Sequence, residues 1–236
     1  MSILEAKYEA QKIAFAPIFF QAIIALKRLG VLRLMGQSPR GITIDQIVEQ
    51  TNISRYGASV LLEAANSANV VEYLGENTVK LTKIGHLLDT DRMTEVNLNF
   101  INDVCYDGAR FLMDSIQTGK PEGLKTLGTW PTIYEGLSQL PQHVKDSWFA
   151  FDHYYSDQAF PEALKIVFKE KPATLFDIGG NTGKWAFACC RHDPSVRVTI
   201  LDLPGQLAVA KANADAQGLS DRIGFHAIDL LDETQP

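Results

Sequence analysis

Two aspartates at the ends of predicted strands, with a glycine-rich turn between them, are the residues of this 236-residue chain best suited to bind a ligand. Segment 174–183 reads TLFDIGGNTG, a predicted strand that runs into a turn and then a helix. Segment 200–204 reads ILDLP, a second predicted strand that ends at Asp202. In open parallel sheets, ligands bind at the carboxyl ends of the strands, and an acid after the second strand binds ribose hydroxyls. We therefore predict half of a nucleotide-binding sheet.

The spacing of the glycines distinguishes between two kinds of cofactor. A dinucleotide-binding turn has the pattern G-x-G-x-x-G, which brings backbone amides to a pyrophosphate at the N-terminus of a helix. Here the glycines stand at positions 179, 180 and 183, and Asp177 precedes them. A carboxylate at that point would repel phosphate but would favour an ammonium group. S-adenosylmethionine carries both an α-amino group and a ribose, so it fits both acids and is the predicted cofactor.

These motifs resemble those of the class I S-adenosylmethionine-dependent methyltransferases, and more narrowly the O-methyltransferase family of the plant caffeate type and its bacterial relatives. In that family an acid-x-Gly-Gly-Gly-x-Gly turn precedes Asp-Leu-Pro, and a Gly-Leu-x-x-Arg-Ile-like segment then enters a third strand that ends at an Asp. The matching segments here are DIGGNTG at 177–183, DLP at 202–204, GLSDRI at 218–223 and IDL at 228–230. Asn181 replaces the middle glycine, and asparagine tolerates the left-handed backbone region better than most other residues.

The resemblance implies a cofactor site and a role for each residue of that site. The glycines let the backbone approach the methionine part of the ligand and let the helix pack on the strand. Asp177 would receive the ammonium, directly or through water, and Asp202 would accept hydrogen bonds from the ribose hydroxyls, with Leu203 under the adenine. Asp229 would accept from the adenine amino group and Leu230 would pack on the ring, although Asp229 has an alternative role in capping the turn that follows. Asp177 and Asp202 are expected to face solvent. The full predicted site consists of Asp177, Gly179, Gly180, Asn181, Gly183, Asp202, Leu203, Asp229 and Leu230.

The implied reaction is transfer of a methyl group to the hydroxyl of a small molecule, by in-line displacement at the sulfonium. The family's general base, a His followed closely by Asp-Trp, has no counterpart among the five histidines of the chain, so no catalytic residue is assigned. Only the first three strands of the family's sheet are recognised. We therefore expect the chain as it stands to be inactive, and the strand Thr174–Ile178 to expose an unpaired edge.

The first hundred residues predict a winged-helix unit. Residues 13–29 form an apolar helix, or two helices broken near Pro17, and their all-round apolar character indicates burial on more than one side. Thr43 and Gln46 predict a capping box for a helix at 44–50. Further expected elements are a helix capped by Ser54 that reaches about residue 68, a hairpin of strands 70–74 and 78–81, and a helix at 83–88.

The resemblance implies that this unit is a dimerisation domain, and the apolar helix suits a homodimer interface that includes Ile23 and Ile24. Winged helices are also associated with DNA binding. Helix 54–69, however, carries Arg55 and Glu63 as its only full charges, and the chain has a formal net charge of −6. A DNA-reading helix needs a basic face, so no nucleic acid partner is predicted. A winged-helix regulator that senses S-adenosylmethionine and an inactive methyltransferase-like scaffold remain alternative functions.

Residues 95–171 are expected to be mostly helical, with a dense group of aromatic residues at 148–160. In the resembled family a helix at this place lies over the cofactor and lines the acceptor pocket, often through a Phe and a Met four residues later. In this sequence two pairs of residues have that four-residue spacing, Phe149 with His153 and Phe151 with Tyr155. The face of the helix that lines the pocket is therefore left open. Phe151 and Tyr155 are assigned to the acceptor pocket, with ordinary core packing as the alternative.

The predicted fold class is α/β, in three parts. A winged-helix dimerisation domain spans residues 1–94, a helical connector with the acceptor-pocket segment spans 95–171, and the first half of a Rossmann-like doubly wound sheet spans 172–236. An apolar content of 46% with 21% charged residues is ordinary for a globular protein. Three cysteines without C-x-x-C spacing predict neither a disulfide framework nor a metal site. The polar first residues and the short apolar stretch at 13–26 predict a cytoplasmic protein without a membrane segment.

Overall fold

The computed structural model describes residues 1–232 and Thr234. The chain divides into two compact units, Met1–Asn99 and Phe100–Pro236. The predicted boundaries near residues 94 and 171 stay a prediction, and the two units are described in turn below.

The first unit is the expected winged-helix arrangement. Its short sheet has the order β1-β3-β2 with antiparallel pairing, and Ile42 and Val71 lie opposite Val79 and Leu81 respectively. The predicted capping box is present, because the Gln46 N–H donates to Thr43 Oγ1 over 3.2 Å while the Thr43 N–H donates to Gln46 Oε1 over 3.0 Å. The elements are α1 (Ile3–Arg28), α2 (Val31–Gly36), β1 (Ile42–Thr43), α3 (Ile44–Thr51), α4 (Arg55–Ser67), β2 (Val71–Tyr73), β3 (Thr78–Leu81), α5 (Lys83–Thr90) and α6 (Arg92–Phe100), the last of which ends at the unit boundary.

Helix α1 differs from its prediction in its length and in its burial. It is one continuous helix of 26 residues that contains Pro17 without a break. Only part of its length is buried, since Ile24 is 5% exposed whereas Ile13 and Ile18 are 78% and 63% exposed. Burial on more than one side is therefore wrong for the single chain, and Ile24 belongs to the interior of its own unit. By length and composition α1 also meets the criteria for a membrane span, which core helices of soluble proteins and signal sequences meet as well. The absence of a membrane segment, expected from the shorter stretch 13–26, stays a prediction.

The second unit begins with irregular helical turns and continues with a parallel sheet and its helices. A π-helical turn at Ile101–Cys105 is followed by short 3-10 turns at Gly108–Phe111, Glu122–Thr126, Leu137–Gln139 and Phe168–Glu170. The other elements are α7 (Leu112–Thr118), α8 (Ile133–Gly136), α9 (Gln142–Val167), β4 (Thr174–Ile178), α10 (Lys184–His192), β5 (Arg197–Asp202), α11 (Pro204–Ala216) and β6 (Ile223–Ala227). The predicted strands are confirmed, since β4 spans Thr174–Ile178 and β5 ends at Asp202.

The second sheet is parallel and has the order β4-β5-β6. Apolar residues of β5 that are fully buried, such as Val198 and Ile200, pack with Phe187 of α10 and Ala210 of α11 in one core. Within the described residues β4 pairs with β5 alone, and two apolar side chains of β4, Phe176 and Ile178, are exposed. Because the strands are parallel, their carboxyl ends meet at one edge, where Asp177 lies near the end of β4, Asp202 ends β5 and Asp229 follows β6.

Candidate cofactor-binding site

The turn after β4 has the backbone that its glycines predict. Gly179, Asn181 and Gly183 all have left-handed φ angles, of 70°, 50° and 88°. Glycine adopts this region freely, and asparagine tolerates it better than most other residues. The Gly183 N–H closes the turn by donating to the Gly180 carbonyl over 2.9 Å, and α10 begins at Lys184. The expectation that Asn181 preserves the turn is confirmed.

Asp177 lies behind this turn. A Cβ atom added to Gly180 would come within 2.6 Å of Asp177 Oδ2 and 2.8 Å of Ile200 Cγ2, so only glycine allows the turn to close over the carboxyl group. Asp177 is 8% exposed, and its Oδ2 has no hydrogen-bond partner among the described residues. Burial raises the pKa of Asp177 to about 6, the nearby Asp202 charge acts in the same direction, and the Ala186 N–H opposes them. The expectation that Asp177 faces solvent is wrong.

Asp202 connects the turn to the end of β5. Its Oδ2 accepts a hydrogen bond from the Asn181 N–H over 2.7 Å, and its Oδ1 accepts one from the Leu203 N–H over 2.7 Å. A carboxylate has about four acceptor positions, so both oxygens can accept further donors. Asp202 is therefore fixed by the backbone on one side and available to a ligand on the other.

A cavity of about 460 Å³ opens at these strand ends, which is within the range typical of small-molecule sites. Six members of the predicted site line it, whereas Asp177, Gly180 and Gly183 do not. Those six are Gly179, Asn181, Asp202, Leu203, Asp229 and Leu230. Other lining residues include Trp148 and Asp152 of α9, and Glu135 of α8. Four carboxyl-bearing side chains thus face one cavity, which favours a ligand with positive charge.

The strand order arranges the site in three positions. The glycine turn follows β4, Asp202 ends β5, and Asp229 lies just beyond β6. Neighbouring strands lie about 4.8 Å apart, so the two outer positions are roughly 10 Å from each other. The Asp229 side chain also accepts from the Leu231 N–H over 3.0 Å, so the turn-capping role considered for it exists beside its place in the cavity wall.

Helix α9 contacts the glycine turn through side chains that the sequence prediction missed. Asn181 Nδ2 donates to Asp152 Oδ2 over 3.0 Å, and Lys184 Nζ donates to Asp157 Oδ2 over 2.7 Å. Between them, Thr182 Oγ1 and His153 Nε2 lie 3.3 Å apart. Burial and the Lys184 charge lower the pKa of His153. Asn181, which replaces the family's glycine, could have indicated such a contact, because the polar side chain of an asparagine in a tight turn needs a hydrogen-bond partner.

Phe151 and Tyr155 do not line the cavity. The ring of Phe151 stacks on Phe100 with a centroid separation of 4.1 Å, and the ring of Tyr155 lies 5.1 Å from that of Phe151. The cavity is instead lined by Trp148 and Asp152 of the same helix. The acceptor role predicted for Phe151 and Tyr155 stays a prediction, and in this structure both residues contribute to aromatic packing.

The parallel sheet carries the glycine turn, Asp202 and Asp229 in the order expected of a Rossmann-like S-adenosylmethionine-dependent methyltransferase. Comparison with family models places a Dimerisation2-like domain at residues 7–78 and an O-methyltransferase domain at residues 155–236. Residues 7–78 thus belong to the Dimerisation2-like domain family, and residues 155–236 belong to the O-methyltransferase domain family.

Individual relatives agree with this assignment at low identity. Bacteriochlorophyllide d C-20 methyltransferase of Chlorobaculum tepidum is 21% identical over 99% of this chain and 68% of the relative. Acetylserotonin O-methyltransferase of Bos taurus is 23% identical over 92% of this chain and 64% of the relative. The chain thus spans about two thirds of the length of these relatives.

Solved structures show the same fold. The mitomycin 7-O-methyltransferase MmcR matches with a TM-score of 0.71 at 21% identity, over 99% of this chain and 68% of its own. An O-methyltransferase from neocarzinostatin biosynthesis, solved with S-adenosylmethionine and 2-hydroxy-5-methyl naphthoic acid, matches with a TM-score of 0.69 at 19% identity, over 90% of this chain and 65% of its own.

Proposed function

We propose that the cavity binds S-adenosylmethionine and that the reaction it serves is transfer of the methyl group of this cofactor to the hydroxyl of a small molecule; that residues 1–236 alone are inactive stays a prediction. The observation that carries the proposal is the arrangement of the glycine turn, Asp202 and Asp229 around one cavity at the ends of three adjacent strands. When bound, the cofactor supplies an electrophilic methyl group.

The residues present fit the parts of this cofactor. Asp202 offers two carboxylate oxygens to the ribose hydroxyls, and the apolar side chains of Leu203 and Leu230 border the cavity where an adenine would lie beside Asp229. The acidic lining suits a sulfonium and an ammonium. A pyrophosphate would instead meet Asp152, Asp202 and Asp229, and this repulsion argues against a dinucleotide. The chain's own contribution is to bind, orient and desolvate the cation.

Calorimetric titration of the chain with S-adenosylhomocysteine and with NAD tests the proposal. We expect S-adenosylhomocysteine to bind more tightly than NAD. Because hydrogen bonds to charged groups contribute about 1.5–3 kcal/mol each, Asp202→Ala should weaken S-adenosylhomocysteine binding by at least about tenfold. Exposed Asp221 provides the control, and Asp221→Ala should leave the affinity unchanged. Tighter binding of NAD, or unaltered affinity in Asp202→Ala, would contradict the proposal.

We also propose that the first unit forms a homodimer through the exposed apolar part of α1, which includes Ile13, Phe15 and Ile18. The match to a Dimerisation2-like domain supports this assembly. Nucleic acid is not among the proposed partners, because the one cation of α4, Arg55, is paired with Asp45 and donates to Asn77 Oδ1 over 3.2 Å. This pairing disfavours the regulator alternative.

A further inference from the structure

The carboxylate that meets the ammonium group of the cofactor is the open question at this site. Asp177 is the residue to which the sequence motif assigns this role, but its carboxyl group lies behind Gly180 and outside the cavity wall. A ligand in the cavity would have to displace the turn to reach it. A second acid, Asp152 of α9, does line the cavity and is half-buried.

The position of Asp152 along the cavity follows from its hydrogen bond. Asn181 belongs to the turn after β4, and its Nδ2 donates to Asp152 Oδ2 over 3.0 Å. Asp152 therefore lies at the β4 end of the site, whereas Asp229 lies at the β6 end and Asp202 between them. A nucleoside whose ribose contacts Asp202 and whose adenine lies beside Asp229 extends its amino-acid part toward Asp152.

We propose that Asp152, rather than Asp177, is the carboxylate that binds the α-ammonium group of the cofactor, and that the side chain of Asn181 positions it. This inference rests on the proposed function. The bond from Asn181 occupies one acceptor position of the carboxylate and leaves others for the ligand. Glycine, which the family carries at position 181, could not make this bond. Asp177 then stays behind the glycine turn and makes no direct contact with the ligand.

The test pairs one change in the ligand with one change in the protein. The ligands are S-adenosylhomocysteine and its desamino analogue, which lacks only the α-ammonium group, and their affinities are measured by calorimetry on the whole chain. We expect the unmodified chain to prefer S-adenosylhomocysteine by about tenfold or more, because a charge-assisted hydrogen bond is lost with the amine. Asp152→Asn should abolish this preference, and asparagine can still accept the bond from Asn181.

Two variants serve as matched controls. Asp177→Asn should retain the preference for the amine-bearing ligand, and Asp202→Asn should weaken both ligands to a similar extent. The inference is overturned if Asp152→Asn keeps the preference, if Asp177→Asn alone removes it, or if the unmodified chain binds the two ligands equally. A chain that binds neither ligand would instead refute the proposed function, and this inference with it. Asn181→Gly should reduce the preference without removing it.

Discussion

Replacement of Asp177 by asparagine should stabilise the second unit at neutral pH. The ordinary pKa of an aspartate is 3.8, and burial raises that of Asp177 to about 6. The folded state therefore holds a proton between these two pH values that the unfolded state has already released. Stability falls as pH rises through this window. Since a tenfold change in proton affinity corresponds to about 1.4 kcal/mol, the ionised carboxylate destabilises the folded unit by about 3 kcal/mol above pH 6.

Urea unfolding followed by tryptophan fluorescence measures this effect in the relevant unit. The three tryptophans of the chain, Trp130, Trp148 and Trp185, all lie in the second unit. We expect Asp177→Asn to match the unmodified chain below pH 4 and to exceed its unfolding free energy by about 3 kcal/mol above pH 6. The exposed aspartate Asp221 provides the control, and Asp221→Asn should show no such pH-dependent gain. An Asp177→Asn gain that is constant with pH, or a variant less stable than the unmodified chain at pH 7, would refute the reasoning.

Three further changes test other parts of the structure. Gly180→Ala should destabilise the second unit by about 1–3 kcal/mol in urea unfolding, because its Cβ would overlap Asp177 and Ile200; Gly205→Ala, whose Cβ would meet only Ser138 at 3.5 Å, should be neutral or slightly stabilising. Ile18→Asp on the exposed part of α1 should dissociate the dimer in sedimentation without loss of helical circular dichroism, whereas Ile24→Asp at a buried position should unfold the first unit; a monomeric unmodified chain would contradict the interface. Thr43→Ala should lower the unfolding free energy of the first unit by about 1 kcal/mol through loss of the cap, and an unchanged circular dichroism transition would count against that assignment.

The local features of both units could be predicted from the sequence because each depends on residues that are close along the chain. The glycine turn, the capping box of α3, the end of β5 at Asp202 and the position of Asp229 just after β6 are of this kind. The depth of Asp177 could not be predicted, since it depends on how closely Gly180 approaches Ile200 across the sheet.

Contacts between distant segments and the choice of buried face account for the remaining differences. Asp152 and Asn181 are 29 positions apart, and no local pattern pairs them. The apolar character of α1 is nearly uniform, so the sequence did not reveal that Ile24 faces the interior while Ile18 is exposed. The phase of the aromatic residues in α9 had the same ambiguity, because Phe151 and Trp148 are both large and apolar.

A crystal structure of the chain with S-adenosylhomocysteine tests the central claim most directly. We predict that the ligand lies across the ends of β4, β5 and β6, with its ribose on Asp202, its adenine beside Asp229 and its amino-acid part at the glycine turn. A ligand bound outside this cavity, or one whose ribose makes no contact with Asp202, would contradict the account.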